Sequence, residues 1–373
     1  MALRPLGFVC AVLSATLTLP LGAQPPQPQT DSNLNPQVVV VTSDGLMTLY
    51  SFANGTFAQV AQQQTDKSFI DVEIEDMDGD DIMDIATIQL NADSEKEAMV
   101  WGYNPAGHTF VQKAVGPLDI DGDLVGLAVP TVTPNTIVVL FHVAGDEDHI
   151  RVFEVSGGDI ATHPIDSGSY PVTNGGVPNN LYDDIAGGDV VTPDEATVGV
   201  DDVLVVHRGR PALLVNELLP RGLVASRFRH DFLDPVAIEC LLPDDPPAAA
   251  GGGDLYALLA GDLRMIIMHT NAPMLQGAIY PDTDLGADGL TGIDCAAANL
   301  GGTADALAVL YAGDSPTAYR ALRAVQPTPP ATIDWLGDAV RVADTAVACD
   351  GARTGLLPLV PTPSQARHWT FQN

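Results

Sequence analysis

Short apolar runs recur along this chain at a near-constant interval. Seven look alike: Gln37–Val41, Asp84–Ile88, Thr136–Leu140, Asp202–Val206, Asp254–Leu258, Asp305–Val309 and Gly355–Leu359. Their starts are spaced by 47, 52, 66, 52, 51 and 50 residues. Each is rich in Val, Ile and Leu and too short for a helix, so each reads as a buried strand. Several are followed by a short turn and a second strand of alternating character, as in Met47–Tyr50, Met99–Tyr103, Ile150–Glu154 and His368–Phe371. Asp44-Gly45 and Asn54-Gly55 are hairpin turn signals. No segment carries a sustained helical period. Units of about 50 residues with four short strands each predict an all-β chain, a seven-bladed β-propeller that accounts for residues 36–373 as one domain. The first unit lacks a clear inner strand and the last a clear outer one, so the two ends are expected to complement one another.

The N-terminus has a different character. Arg4 precedes an apolar run, Leu6 to Leu19, which Pro20 closes before the small-residue sequence Leu21-Gly22-Ala23. This reads as a signal peptide over 1–23. The run is short for a bilayer span, so no membrane insertion is expected after cleavage. Residues 24–35 are rich in Pro and Gln and read as a flexible leader. The mature chain is therefore expected outside the cytoplasm, secreted or periplasmic, and monomeric.

Charge narrows the partners. The formal net charge is -32 with 46% hydrophobic residues, which together describe a folded, strongly acidic protein. A field of that sign repels nucleic acid and anionic lipid and attracts divalent cations. The cysteines left after cleavage, Cys240, Cys295 and Cys349, share apolar contexts (Ile238-Glu239-Cys240, Ile293-Asp294-Cys295, Ala348-Cys349) and read as small buried hydrophobes.

One loop carries specific chemistry. Asp76-Met77-Asp78-Gly79-Asp80-Asp81-Ile82-Met83-Asp84 places carboxylates at positions 1, 3, 5 and 9 before a strand. Hard oxygens at that spacing suit calcium. The expected ligands are the side chains of Asp76, Asp78, Asp80 and Asp84 and the Ile82 carbonyl. An EF-hand is excluded, because Asp81 and Thr87 stand where that motif needs Gly and Glu. The loop resembles that of the FG-GAP and VCBS-type repeat proteins, calcium-binding propellers that include integrin α-subunits and secreted bacterial proteins. Asp76, Asp78, Gly79, Asp80 and Asp84 match the pattern Asp-x-Asp/Asn-Gly-Asp-Gly-x-x-Asp-Leu, Ile85 stands for Leu, and Asp81 departs where Gly is usual. The resemblance implies a calcium-stabilised binding or adhesion module for a protein or glycan. Asp119-Ile120-Asp121-Gly122-Asp123 begins in the same way but ends in Leu127.

Other candidates are weaker. Gly313-Asp314-Ser315 reads as a turn rather than a nucleophile motif. His142, His207 and His269 each follow an apolar strand. Arg208, Arg210, Arg221, Arg227 and Arg229 form either an anion site or a set of internal pairs with Asp and Glu. With no catalytic constellation evident, the enzyme alternative is a polysaccharide lyase or hydrolase with its site at the propeller's central opening. If the leader reading is right, N-terminal sequencing of exported protein will begin at Gln24; a membrane-bound form retaining Met1 would contradict it.

Overall fold

The computed structural model describes residues 38–77, 83–129, 135–144, 148–162, 170–171, 183–188, 202–206, 212–217, 224–229, 235–241, 255–269, 278–286, 289–298, 300, 306–314, 317–328 and 332–352. Every regular element among them is a strand. The first sheet holds β1 (Val38–Thr42), β2 (Leu46–Ala53) and β3 (Thr56–Gln64). The second is β4 (Ser68–Glu75), β5 (Asp84–Leu90), β6 (Lys96–Asn104) and β7 (Thr109–Pro117). The third is β8 (Asp123–Ala128), β9 (Thr136–His142), β10 (Asp148–Ser156) and β11 (Asp159–Thr162), with β12 (Tyr170–Pro171) also on β10. The fourth is β13 (Asp184–Gly188), β14 (Asp202–Val206), β15 (Ala212–Glu217) and β16 (Val224–Arg229). The fifth is β17 (Pro235–Leu241), β18 (Leu255–Ala260), β19 (Arg264–His269) and β20 (Ala278–Asp284). The sixth is β21 (Leu290–Ala298), β22 (Ala306–Gly313), β23 (Tyr319–Thr328) and β24 (Thr332–Val342). Finally, β25 (Ala346–Gly351) returns to the first sheet and pairs antiparallel with β1.

Each sheet is therefore four antiparallel strands in sequence order, except the first, whose innermost strand comes from the far end of the described chain. The innermost strands β25, β4, β8, β13, β17 and β21 touch in that cyclic order, and β21 touches β25 again. Six sheets close this ring, where seven repeats were expected. The repeat starting at Gly355 lies outside the described residues. The predicted complementarity of the ends is real, but it is the C-terminal side that supplies an inner strand to the first sheet. Among the described residues outer edges pair at two places, where Asp338 of β24 pairs with Thr56 of β3 and Asp159 of β11 with Val115 of β7. Gly337 and Gly55 allow the first of these, since a Cβ on Gly337 would collide with the Gly55 carbonyl. Asn54 and Gly55, both at positive φ (54° and 80°), form the expected hairpin turn.

The core follows from period-2 alternation on strands that are buried on both faces. In β1, Val39 and Val41 pack toward the second sheet with Phe69, Ile74 and Ile85, while Val38 and Val40 pack toward the sixth with Leu310 and Leu322. In β9, Ile137, Val139 and Phe141 face the second sheet and Val138 and Leu140 the fourth. In β14, Val203 and Val205 face the third sheet and Leu204 and Val206 the fifth. In β18, Leu258 faces the fourth sheet and Leu259 the sixth. This is why the second strand of each sheet is an unbroken apolar run: both side-chain rows lie in a wedge between neighbouring sheets. The core is six such wedges. Leu258→Ala should cost about 2–5 kcal/mol in urea unfolding; Val111→Ala, at a side chain 52% exposed, should be near neutral.

Candidate functional site

The six innermost strands present equivalent positions to the axis. Register against the second strand of each sheet aligns Asp71 (opposite Ile88), Gly126 (Leu140), Asp184 (Val206), Ala237 (Leu259), Asp294 (Leu310) and Ala348 (Val41). Acid and small residue thus alternate around the ring. In five of the six strands a bulge immediately precedes this position. Two residues on, Glu73, Glu239 and Asp350 add further carboxyls.

Each aspartate of the alternating set bridges two sheets. Asp71 accepts the N–H of its own neighbour Val72 on Oδ1 (2.8 Å) and that of Leu127 in the third sheet on Oδ2 (2.7 Å). Asp184 does the same with Ile185 and with Ile238 of the fifth sheet, both at 2.8 Å. Asp294 repeats it with Cys295 and with Cys349 of the first sheet, both at 2.8 Å. Asp350 accepts from the Ile74 N–H of the second sheet. These carboxyls accept backbone N–H groups on the inner strands, each of which has one edge without a ladder partner.

Asp71, Glu73, Asp184, Glu239, Asp294 and Asp350 line one axial cavity of about 10 Å³ together with Cys295 and Cys349. Among the described residues no Lys, Arg or His lines it. Burial first, and the Asp184 carboxyl second, push Asp71 well above the ordinary carboxylate range. Burial, with Asp183 and Asp350 nearby, raises Asp184 to about 7 against the pull of its two backbone donors. Asp294 is raised well above the range by burial and then by Asp184 and Asp71. Cys295 and Cys349 are buried and free, and burial followed by Asp294 holds both as thiols rather than nucleophilic thiolates. Among the described residues no three His, Cys, Asp or Glu side chains are arranged to hold a metal ion. The axial carboxyls were missed in the sequence, although the repeated Ile-acid-Cys contexts carried the signal.

Of the loop expected to bind calcium, Asp78, Asp80 and Ile82 lie outside the described residues. Asp76 and Asp84 sit at the two ends of the β4–β5 hairpin, where Glu75 pairs with Asp84. Asp84 is fully buried, and Lys113 Nζ lies 2.7 Å from its Oδ1. Lys113 is on β7 and reaches Asp84 across β6 at Gly102, the residue paired with Asp84; a Cβ there would lie 3.0 Å from the Lys113 stem. Hard carboxylate oxygens fit calcium, but one of them already holds an ammonium.

A larger cavity of about 380 Å³ opens on the third sheet, lined by Asp119, Ile120, Asp121, Phe141, Val143, His149 and Arg151. Phe141 and His149 stack with ring centroids 5.7 Å apart, and Arg151 donates to the Asp119 carbonyl. His142 bonds Asp148 at 2.6 Å within its own hairpin. His207, Arg208, Arg210 and Arg221 lie outside the described residues, as do the side chains of His269, Arg227 and Arg229.

Four-stranded antiparallel sheets arranged around an acidic axis define an all-β, propeller-like protein. Solved structures resemble it at the level of fold alone. A protein of unknown function from Bacteroides caccae is 10% identical with a TM-score of 0.50, covering 85% of this chain and 99% of its own. A candidate 6-phosphogluconolactonase from Bacteroides fragilis is 13% identical with a TM-score of 0.47, covering 87% and 99%. A functionally unknown protein from Desulfotomaculum acetoxidans is 12% identical with a TM-score of 0.47, covering 84% and 83%. No family model and no curated protein matches the chain.

The Lys113–Asp84 pair has a measurable consequence. Lys113→Ala leaves a buried carboxylate short of its ammonium and should destabilise by about 1–3 kcal/mol in urea unfolding. Arg264→Ala, at the exposed Arg264–Asp262 pair, should stay within about 1 kcal/mol.

Proposed function

We propose that the chain is a secreted, calcium-stabilised propeller that binds a protein or glycan partner. The observation that carries the binding reading is the contrast between its two openings. The axial cavity, at about 10 Å³, admits about one water and is lined by carboxyls, so a sugar ring does not fit the place where the enzyme alternative puts its site. The cavity on the third sheet, at about 380 Å³, falls in the range of ligand sites, which run from roughly 300 to 1,000 Å³. It brings together the Arg151 guanidinium and the carboxylates of Asp119 and Asp121. That combination suits polyhydroxylated ligands. The adhesion role and the FG-GAP or VCBS kinship rest on the Asp76–Asp84 loop.

Exported protein screened on a glycan array, with Arg151→Ala as the control, tests the binding reading. Retained binding that Arg151→Ala abolishes supports it; release of reducing ends from a polysaccharide without stable binding favours the lyase or hydrolase alternative.

Calcium, when bound, would tie the β4–β5 hairpin through Asp76, Asp78, Asp80, Ile82 and Asp84. A ligand at a hundredfold excess over its dissociation constant stabilises by about 2.7 kcal/mol. Chelation should therefore lower the melting temperature by a few degrees, magnesium should substitute poorly, and Asp78→Ala should remove most of the shift while Asp119→Ala leaves it. Lys113→Met, which removes the competing ammonium from Asp84, should enlarge the calcium shift. A melting curve unmoved by chelator and no calcium uptake in calorimetry would remove the metal from the proposal.

A further inference from the structure

The carboxyls at the axis hold the sheets to one another, and among the described residues no Lys, Arg or His lines their cavity. Three of the six seams are bridged by Asp71, Asp184 and Asp294, and a fourth by Asp350. Gly126 sits between two of these groups: a Cβ on it would lie 3.5 Å from both Asp71 Oδ2 and Asp184 Oδ1. Facing Asp71 are Glu73 on its own strand, Asp184 on β13 and Asp350 on β25. Asp184 is faced by Asp183 and Asp350, and Asp294 by Asp184, Asp71, Glu239 and the two thiols. Full ionisation would place six negative charges around a space of about 10 Å³.

We propose that this ring is a proton-held clasp: protons carried by Asp71, Asp184 and Asp294 let their carboxyls bridge adjacent sheets, and losing those protons loosens the ring. A protonated carboxyl still accepts N–H bonds through its remaining lone pairs, so protonation keeps the bridges and removes the repulsion.

The sign of the linkage is the reverse of ordinary acid denaturation. These groups are held above their unfolded value of 3.8, and Asp184 lies at about 7. The folded chain therefore binds protons more tightly than the unfolded one between about pH 4 and pH 7. Stability from Asp184 is fully present below that window and lost as pH rises through it, and Asp71 and Asp294, raised in the same direction, contribute with the same sign.

The test is thermal unfolding of the full chain in chelator and about 0.5 M NaCl, where surface repulsion is screened but buried charges are not. Between about pH 5 and about pH 8 the melting temperature should fall by at least roughly 2–4 °C. Asp184→Asn, which does not titrate, should flatten that slope. If Asp184→Asn does not fold, the infrared carbonyl band of protonated carboxyls in the native wild type reads the same protons: it should be present at about pH 6 and weaker at about pH 8. A melting temperature that is flat or rises across the window, an unchanged slope in folded Asp184→Asn, or no protonated-carboxyl band at about pH 6 would each overturn the clasp. Because calcium is absent throughout, failure here leaves the metal proposal standing, and the reverse.

Discussion

Six strands meeting at one axis leave little room between them. Neighbouring inner strands approach so closely that a Cβ at Gly126 would press within 2.7 Å of Ile185, and one at Gly351 would collide with the Ala297 carbonyl. Each of these strands also has one edge whose backbone N–H groups are without a ladder partner. The chain meets both demands by alternating: a small residue on one strand, an aspartate on the next that reaches sideways to the neighbouring sheet. The arrangement has a threefold character inside a sixfold ring, with Asp71, Asp184 and Asp294 each bridging to the small-residue strand that follows. Bridging by side chains replaces the hydrogen bonds that a continuous barrel would have made through its backbone.

Away from the axis, apolar packing takes over. Each sheet is covered by its two neighbours, so the second strands are sealed on both faces and side chains such as Val39, Val139, Val205 and Leu259 have almost no contact with water. The outer strands are different. Those of β7 and β24 alternate buried and exposed positions, and Asp334 and Asp338 on β24 carry part of the large negative charge into solvent. Charge therefore appears at two extremes of the radius, at the rim where water screens it and at the axis where it cannot be screened. Between them lies a dry annulus crossed by the Lys113–Asp84 pair.

The strands and their repeat were legible because burial on both faces writes a continuous apolar run, and six of the seven expected runs became the second strands of six sheets. The count was not legible. Counting runs treats the last as another unit, whereas closure depends on which segment pairs with Val38–Val41, and a single strand such as Ala346–Gly351 has no local mark that says so. The axial site was half visible. Asp294 and Glu239 stood beside cysteines in contexts that looked alike, but an acid next to an apolar strand is ordinary in one repeat and informative only when register stacks it against acids from other repeats. Asp84 shows the converse: its spacing in the loop spoke of a metal, while its ion pair is with Lys113, two strands away in the sheet, across Gly102 on the strand between, and is invisible to a linear motif.

The return of β25 to the first sheet has a consequence for how the molecule comes into being. Val38–Thr42 must wait for residues about three hundred positions later before its free edge is covered. Contacts of that sequence separation are slow to form, because the loop they close must first be searched. A chain emerging from the ribosome can assemble its middle sheets one after another, but Val38–Thr42 stays an open edge until Ala346–Gly351 has been made. During that interval Val38–Val41 is an uncovered, four-valine strand, the kind of edge that pairs with other chains. The exposure of this edge to self-association is thus concentrated in time, before the closing strand arrives, rather than spread over the surface of the finished ring.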